Sequence, residues 1–302
     1  MDLWVSYIFN DMQKISIIID AMNDLLDLKG IPRTTDFLEA TLDLIDRSKG
    51  DFKSFIKTLL ETSFWMSQDF PGNPFKNLCV ELAVEIDQFA MKHSEPAYHS
   101  RSHFKDVCLM ISYLLLQQQM WPEMKSVNNP WYVSREEGWA LLYASIAHDF
   151  AHPGLINKTP YEIEQNSLDL LRQYLSSSNF EKTLYEPLLD MIRPWILATD
   201  HAAYKDLCER VSLGSPGHSD CLSILLVEAD LIASILPNRG RELTYRLSRE
   251  WGVLYPKEAI ALRNEVGYLS FLNSLNFLSP HALAAKIPQI LNHSVLQMRS
   301  RL

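Results

Sequence analysis

Glycine is scarce in this chain, with ten among 302 residues. Few stretches alternate strictly between apolar and polar side chains, and the two facts together argue against a sheet-rich fold. No run of lysine and arginine occurs, and the formal net charge is −9. Affinity for a nucleic-acid polymer comes chiefly from a basic face that neutralises phosphates, so a partner of that class is not expected. A small phosphate ester stays open, because bound cations can reverse the local sign of the field. The four cysteines (Cys79, Cys108, Cys208 and Cys221) show no close pairing of the zinc-ribbon or redox type. They read as buried thiols in a reducing compartment. A long unbroken apolar run is also missing, since Asp11, Lys14, Asp20 and Asp24 interrupt the segment from Ile8 to Leu28. Neither a signal peptide nor a membrane span fits, so the expectation is a cytoplasmic protein with no membrane partner.

What is present is helical patterning. Apolar residues make up 47 % and charged residues 22 %, an ordinary globular balance. Apolar spacing predicts helices over Ile15–Leu28, from Thr35-Asp36 through Ile45, and over Phe52–Met66 and Asn77–Lys92. Further helices are expected over Tyr98–Gln119, Arg135–His148, Tyr161–Ser176, Glu181–Thr199, Ser219–Leu236, Arg241–Trp251, Pro256–Leu275 and Pro280–Ser300. Pro71-Gly72-Asn73-Pro74 reads as a loop. There is no repeat and no long linker. The expected fold class is all-α, a compact multi-helix single domain over 1–302.

Three segments carry the chemistry. His99, His103 and Asp106 stand four and three residues apart, along one face of the predicted helix. His148-Asp149 closes another helix and offers an imidazole and a carboxylate that has two oxygens, enough to bridge two ions. Imidazole with carboxylate suits zinc, manganese or iron, whereas carboxylate with water suits magnesium or manganese. Glu228 and Asp230 lie inside a strongly apolar helix, where a charge is costly unless paired or ligating a metal. One of the two can face solvent.

These residues resemble the catalytic domain of the class I cyclic nucleotide phosphodiesterases, a branch of the HD-type metal phosphohydrolases. The family's Tyr-His-Asn-x-x-His-Ala-x-Asp-Val is matched at Tyr98, His99, His103, Asp106 and Val107. Its His-Asp-x-x-His-Pro-Gly, with an asparagine three residues on, is matched by His148, Asp149, His152, Pro153, Gly154 and Asn157. Leu197-Ala198-Thr199-Asp200 and Ala229-Asp230-Leu231 match two further motifs. The resemblance covers roughly 80 to 280. It implies a helical start over 1–80 and a metal-binding core over 81–302. It also implies that His103, His148, Asp149 and Asp230 hold the tighter of two divalent ions (zinc or manganese), with Asp149 bridging to magnesium or manganese.

The implied reaction opens a 3′,5′-cyclic nucleotide, cyclic AMP and/or cyclic GMP, to its 5′-monophosphate. A hydroxide shared by the two ions attacks, Asp149 orients it, and His99 gives a proton to the leaving oxygen. His152, Asp106 and Asn157 are expected behind the ligands, Asp106 as a brace for its helix. Tyr98, Glu265 and Tyr268 are the expected substrate-binding residues, and the protein could pair as a homodimer.

The sequence departs from the family at several places. Ser100 replaces Asn, and Ile232-Ala233-Ser234 replaces Ser-Asn-Pro. The stretch after Asn157 is shorter and lacks the family's paired histidines. The base-reading Gln-x-Gly-Phe becomes Glu265-Val266-Gly267-Tyr268. An ionised glutamate only accepts hydrogen bonds, whereas glutamine also donates, so the base edge would be read differently. Two alternatives therefore stand beside the cyclic nucleotide: another small phosphate ester at the same metals, and a binding protein with a degenerate pocket.

Overall fold

A computed structural model describes residues 16–27, 34–48 and 50–302, and no β-strand occurs among them. The predicted start of the first helix at Ile15, its stop at Gly30 and Pro32, and the N-terminal charges Asp11 and Lys14 lie outside the described residues. In chain order the helices are α1 (16–25), α2 (Thr35–Arg47), α3 (Phe52–Leu60), α4 (Ser63–Gln68), α5 (Phe75–Lys92) and α6 (Arg101–Met120). A 3₁₀ turn at Pro122–Lys125 leads to α7 (Arg135–Ala147), α8 (Glu162–Ser177), α9 (Lys182–Leu197), α10 (His201–Ser212) and α11 (His218–Ile235). The chain ends with α12 (Arg239–Trp251), α13 (Pro256–Arg263), α14 (Glu265–Ser274), α15 (Pro280–Ala284) and α16 (Ile287–Arg299). No described helix is long and apolar enough to cross a membrane.

Three helices form the interior. α6 is buried from His103 to Gln117, α7 from Gly138 to Ala147, and α11 from Cys221 to Ala229 and again from Ile232 to Ile235. Helices apolar on all sides belong at the centre of a large core. α11 crosses α6, and α7 packs on both. Amphipathic helices such as α2, α3 and α5 cover them, each turning one apolar face inward. Trp65 of α4 locks the layers together by packing on Trp139 of α7 and donating its indole N–H to Ser112 Oγ of α6 at 3.0 Å. A single apolar cluster runs from Met22 to Met298.

The predicted helices fall where expected, with five differences, one being the start of α6 at Arg101 instead of Tyr98. Phe52–Met66 divides at Thr62, which precedes α4 in extended geometry. Pro256–Leu275 divides at Asn264, whose side chain caps α14 by accepting from Gly267 N–H at 2.6 Å. Pro280–Ser300 divides at Lys286, in the left-handed region with φ 60°. α10 was not expected. Its start is set by Asp200, which accepts Ala202 N–H at 2.9 Å.

Candidate metal centre

His103 lies in the first turn of α6, His148 and Asp149 at the C-terminal end of α7, and Asp230 near the end of α11. The three innermost helices therefore bring together one cluster from positions 127 residues apart in the chain (230 − 103). His103 Nε2 is 3.0 Å from Asp230 Oδ1, 3.5 Å from Asp149 Oδ2 and 3.4 Å from His148 Nε2. His148 Nε2 is 3.2 Å from Asp149 Oδ2 and 3.9 Å from Asp230 Oδ1. An ion about 2.1 Å from each donor needs neighbouring donors about 3.0 Å apart in an octahedron or about 3.4 Å in a tetrahedron. The spacings among His103, His148 and Asp149 fit one shared ion, and Asp230 stands beside His103 at the edge of that group.

The chemistry of the donors agrees. His148 Nδ1 lies 2.9 Å from the Ser145 carbonyl and donates to it, which turns Nε2 into the cluster. Two facing imidazole nitrogens repel unless a positive centre lies between them. Burial alone would lower the His103 pKa, but hydrogen bonds and charge from Asp149 and Asp230 lift it to about 10. Burial would likewise raise Asp149, yet His148, His99 and His103 hold it well below the usual carboxylate range. Both shifts express one property: this donor set favours a cation.

A second group lies beside the first. Ser100 holds the N-cap position of α6, so Tyr98 and His99 sit in the turn before it, not on the helix face expected from their spacing. Glu250 is the reason. Its Oε2 accepts the backbone N–H of Tyr98 at 2.7 Å and of His99 at 3.2 Å, and its Oε1 lies 2.5 Å from His99 Nδ1. Burial pushes the Glu250 carboxyl up, but the His99 imidazole and those backbone N–H groups bring it below its ordinary value. His152 stacks on His99 with ring centroids 3.6 Å apart. Burial, with His99 adding to it, lowers His152 to about 3, so its ring stays neutral. Gly154 closes the motif at φ 72°, where a Cβ would lie 3.2 Å from Glu250 Cγ.

The other expected residues are distributed as follows. Asp106 braces α6 by pairing with the Arg239 guanidinium at 2.7 Å. Asn157 accepts Ile163 N–H at 2.8 Å and donates to Glu164 at 2.9 Å, ordering the start of α8. Of the two acids on α11, Asp230 joins the cluster. Glu228 is fully buried and accepts from Leu278 N–H, Ser279 N–H and the Ser279 hydroxyl, so neither is a solvent-facing charge. Tyr98 places its hydroxyl 3.3 Å from Ser234 Oγ and its ring 4.7 Å from that of His103. Glu265 is half-buried at the start of α14. Tyr268, 1 % exposed, does not fit its expected role: its hydroxyl donates to Ser234 O at 3.0 Å and the Arg241 guanidinium lies over its ring. No face is left open for a base to stack on.

Two acids were not anticipated. Glu250 stands among Ser248, Arg249 and Trp251 with nothing local to distinguish it. Glu164 carries a readable signal, because it shares the buried stripe of Leu168, Leu171 and Leu175 at helical spacing. Burial, then Asp200 and Asp149, raise its pKa, which marks a concentration of negative charge next to Asp149.

No curated protein matches the chain. Among solved structures it is similar to LmjPDEB1 in complex with IBMX, at 13 % identity and a TM-score of 0.63, over 92 % of this chain and 96 % of that one. It is also similar to the phosphodiesterase domain of the RhoPDE fusion protein from the choanoflagellate Salpingoeca rosetta, at 17 % identity and a TM-score of 0.54, over 81 % and 97 %. At such identities the likeness establishes a shared fold. The family model for 3′5′-cyclic nucleotide phosphodiesterases matches residues 98–251, which span the metal cluster and Glu250 and make up just over half of the 302 residues. The chain belongs to the 3′5′-cyclic nucleotide phosphodiesterase family.

Proposed function

We propose that this protein hydrolyses a 3′,5′-cyclic nucleotide to the 5′-monophosphate with the help of two divalent cations. The observation that carries the reading is the convergence of His103, His148 and Asp149 at ligand-to-ligand distances, with Asp230 3.0 Å from His103 Nε2. These four hold the tighter ion, zinc or manganese. Asp149 would also contribute to a second, magnesium or manganese, with Glu164 supplying further negative charge beside it. When bound, such ions neutralise the phosphate oxygens and lower the pKa of water, which supplies the nucleophile near neutral pH.

The chain's own groups do the rest. His99 Nδ1–H is held by Glu250, which leaves Nε2 to give a proton to the departing ester oxygen. The carboxylate of Glu250 stabilises the imidazolium from which that proton comes. Neutral His152, stacked on His99, fixes the ring plane without opposing its charge. Tyr98 walls the site beside His103, and Glu265, standing where the family has glutamine, would accept hydrogen bonds from a base.

A second reading keeps the cations and replaces the cyclic nucleotide by another small phosphate ester. It is favoured by the burial of Tyr268 and by Glu265 standing where the family has glutamine. A panel of cyclic AMP, cyclic GMP and an aryl phosphodiester, run with added manganese, separates the two. The proposal expects turnover of at least one cyclic nucleotide. Hydrolysis of the aryl ester alone would replace it by the second reading.

A further inference from the structure

A charge network built around a buried arginine plays no part in the reaction just described. Arg239 opens α12, and its side chain is 2 % exposed. Its guanidinium grips Asp106 of α6 with three contacts of 2.7, 2.7 and 2.9 Å. It also donates to Asp46 of α2 at 3.0 Å and lies 3.5 Å from Asp43 on the same helix. Asp46 in turn accepts from Ser102 Oγ at 2.6 Å, in the first turn of α6. Glu39 of α2 accepts the backbone N–H of Asn238 and Arg239 at 2.7 and 3.0 Å. α2 thus ties α6 to α12, although it lies outside the residues matched by the family model.

His103 gives α6 a reason to need such a clamp. A metal-bound imidazole is ordinarily oriented by its other N–H, which donates to an oxygen. His148 is held this way by Ser145. His103 Nδ1 is buried and has no hydrogen-bond partner. The heading of its Nε2 is therefore set by ring packing against Tyr98 and His148 and by the placement of the α6 backbone. Asp106 sits on that backbone less than one turn further on.

We propose that Arg239 is a positioning residue of the metal centre: by clamping Asp106 and Asp46 it fixes the first turns of α6, and through them the direction of His103 Nε2. The inference rests on the metal reading above. The planar fork of arginine matters here, because a lysine ammonium cannot hold both oxygens of Asp106 and reach Asp46 together. A purely structural ion pair would affect unfolding alone, so the decisive quantity is cation affinity in the folded protein.

The test is titration of the full chain with Co²⁺, followed by its visible absorption, and with Mn²⁺, followed by calorimetry, well below the melting temperature. Arg239→Lys is expected to weaken binding by about tenfold or more and to shift the Co²⁺ bands. Asp46→Asn, a near-isosteric change at a side chain 21 % exposed, is expected to weaken it several-fold. Affinities and spectra within about twofold of wild type, with only a lowered Tm, would overturn the inference. If Arg239→Lys does not fold, Asp46→Asn decides by the same criterion. Failure of the wild-type chain to bind either ion is a separate result, and it removes the metal reading together with this one.

Discussion

Replacing Glu250 by glutamine tests the proton-donor assignment with little change of shape. The amide oxygen can still accept the backbone N–H groups of Tyr98 and His99, now met at 2.7 and 3.2 Å. Its NH₂ group then faces His99 Nδ1, where a carboxylate oxygen stood 2.5 Å away, so a donor meets a donor. A hydrogen bond to a charged partner contributes about 1.5–3 kcal/mol. At about 1.4 kcal/mol per factor of ten in rate, Glu250→Gln should lower kcat by about 10- to 150-fold, with KM and metal content unchanged. His99→Ala should cost about 10²- to 10⁴-fold, the usual worth of a positioned proton donor. Because Glu250 acts through His99, the double variant should be no slower than His99→Ala alone. The assays are steady-state kinetics on the substrate found by the panel and elemental analysis of each variant. Wild-type kcat in Glu250→Gln, or costs that add in the double variant, would refute the reasoning.

Three further outcomes follow from the geometry. His103→Ala should lose the tighter metal, read by elemental analysis after dialysis, while keeping its helical circular dichroism. His281 is fully buried, neither ring nitrogen has a partner, and burial lowers its pKa to about 4 from an ordinary 6.5. The unfolded chain binds this proton more readily, so its contribution to stability is present above about pH 6.5 and is lost as pH falls toward 4. The loss approaches about 3 kcal/mol, and denaturant titrations should show His281→Leu spared that part of it relative to wild type. At Gly240 a Cβ would lie 2.2 Å from Tyr268 Oη and 2.3 Å from Ser234 O, so Gly240→Ala should destabilise the fold by about 1–3 kcal/mol in urea.

Part of the cluster was legible in the chain because its residues stand out locally. His148-Asp149 and the acids inside the apolar α11 stand out against their surroundings, and the helices that carry them have clear boundaries. The position of His99 could not be read in the same way. Its four-residue spacing from His103 suggests a shared helix face, but a carboxylate 151 positions away captures its backbone N–H and keeps it in the preceding turn. Spacing reports only the local preference, and a long-range partner overrides it. Tyr268 shows the converse. Its motif position suggests a surface for a base, whereas Gly240 leaves just enough room for its hydroxyl to reach Ser234 O in the core. Glu164 carries a legible signal, since an acid on a leucine stripe is as conspicuous as Asp230. The clamp around Arg239 joins α2, α6 and α12, and nothing in any one of those segments announces the other two.

The most direct test of the account is anomalous X-ray diffraction from crystals grown with Zn²⁺. The account predicts a peak about 2.0–2.2 Å from each of His103 Nε2, His148 Nε2, Asp149 Oδ2 and Asp230 Oδ1. A map with zinc bound elsewhere, or with those four side chains turned to different neighbours, would contradict it.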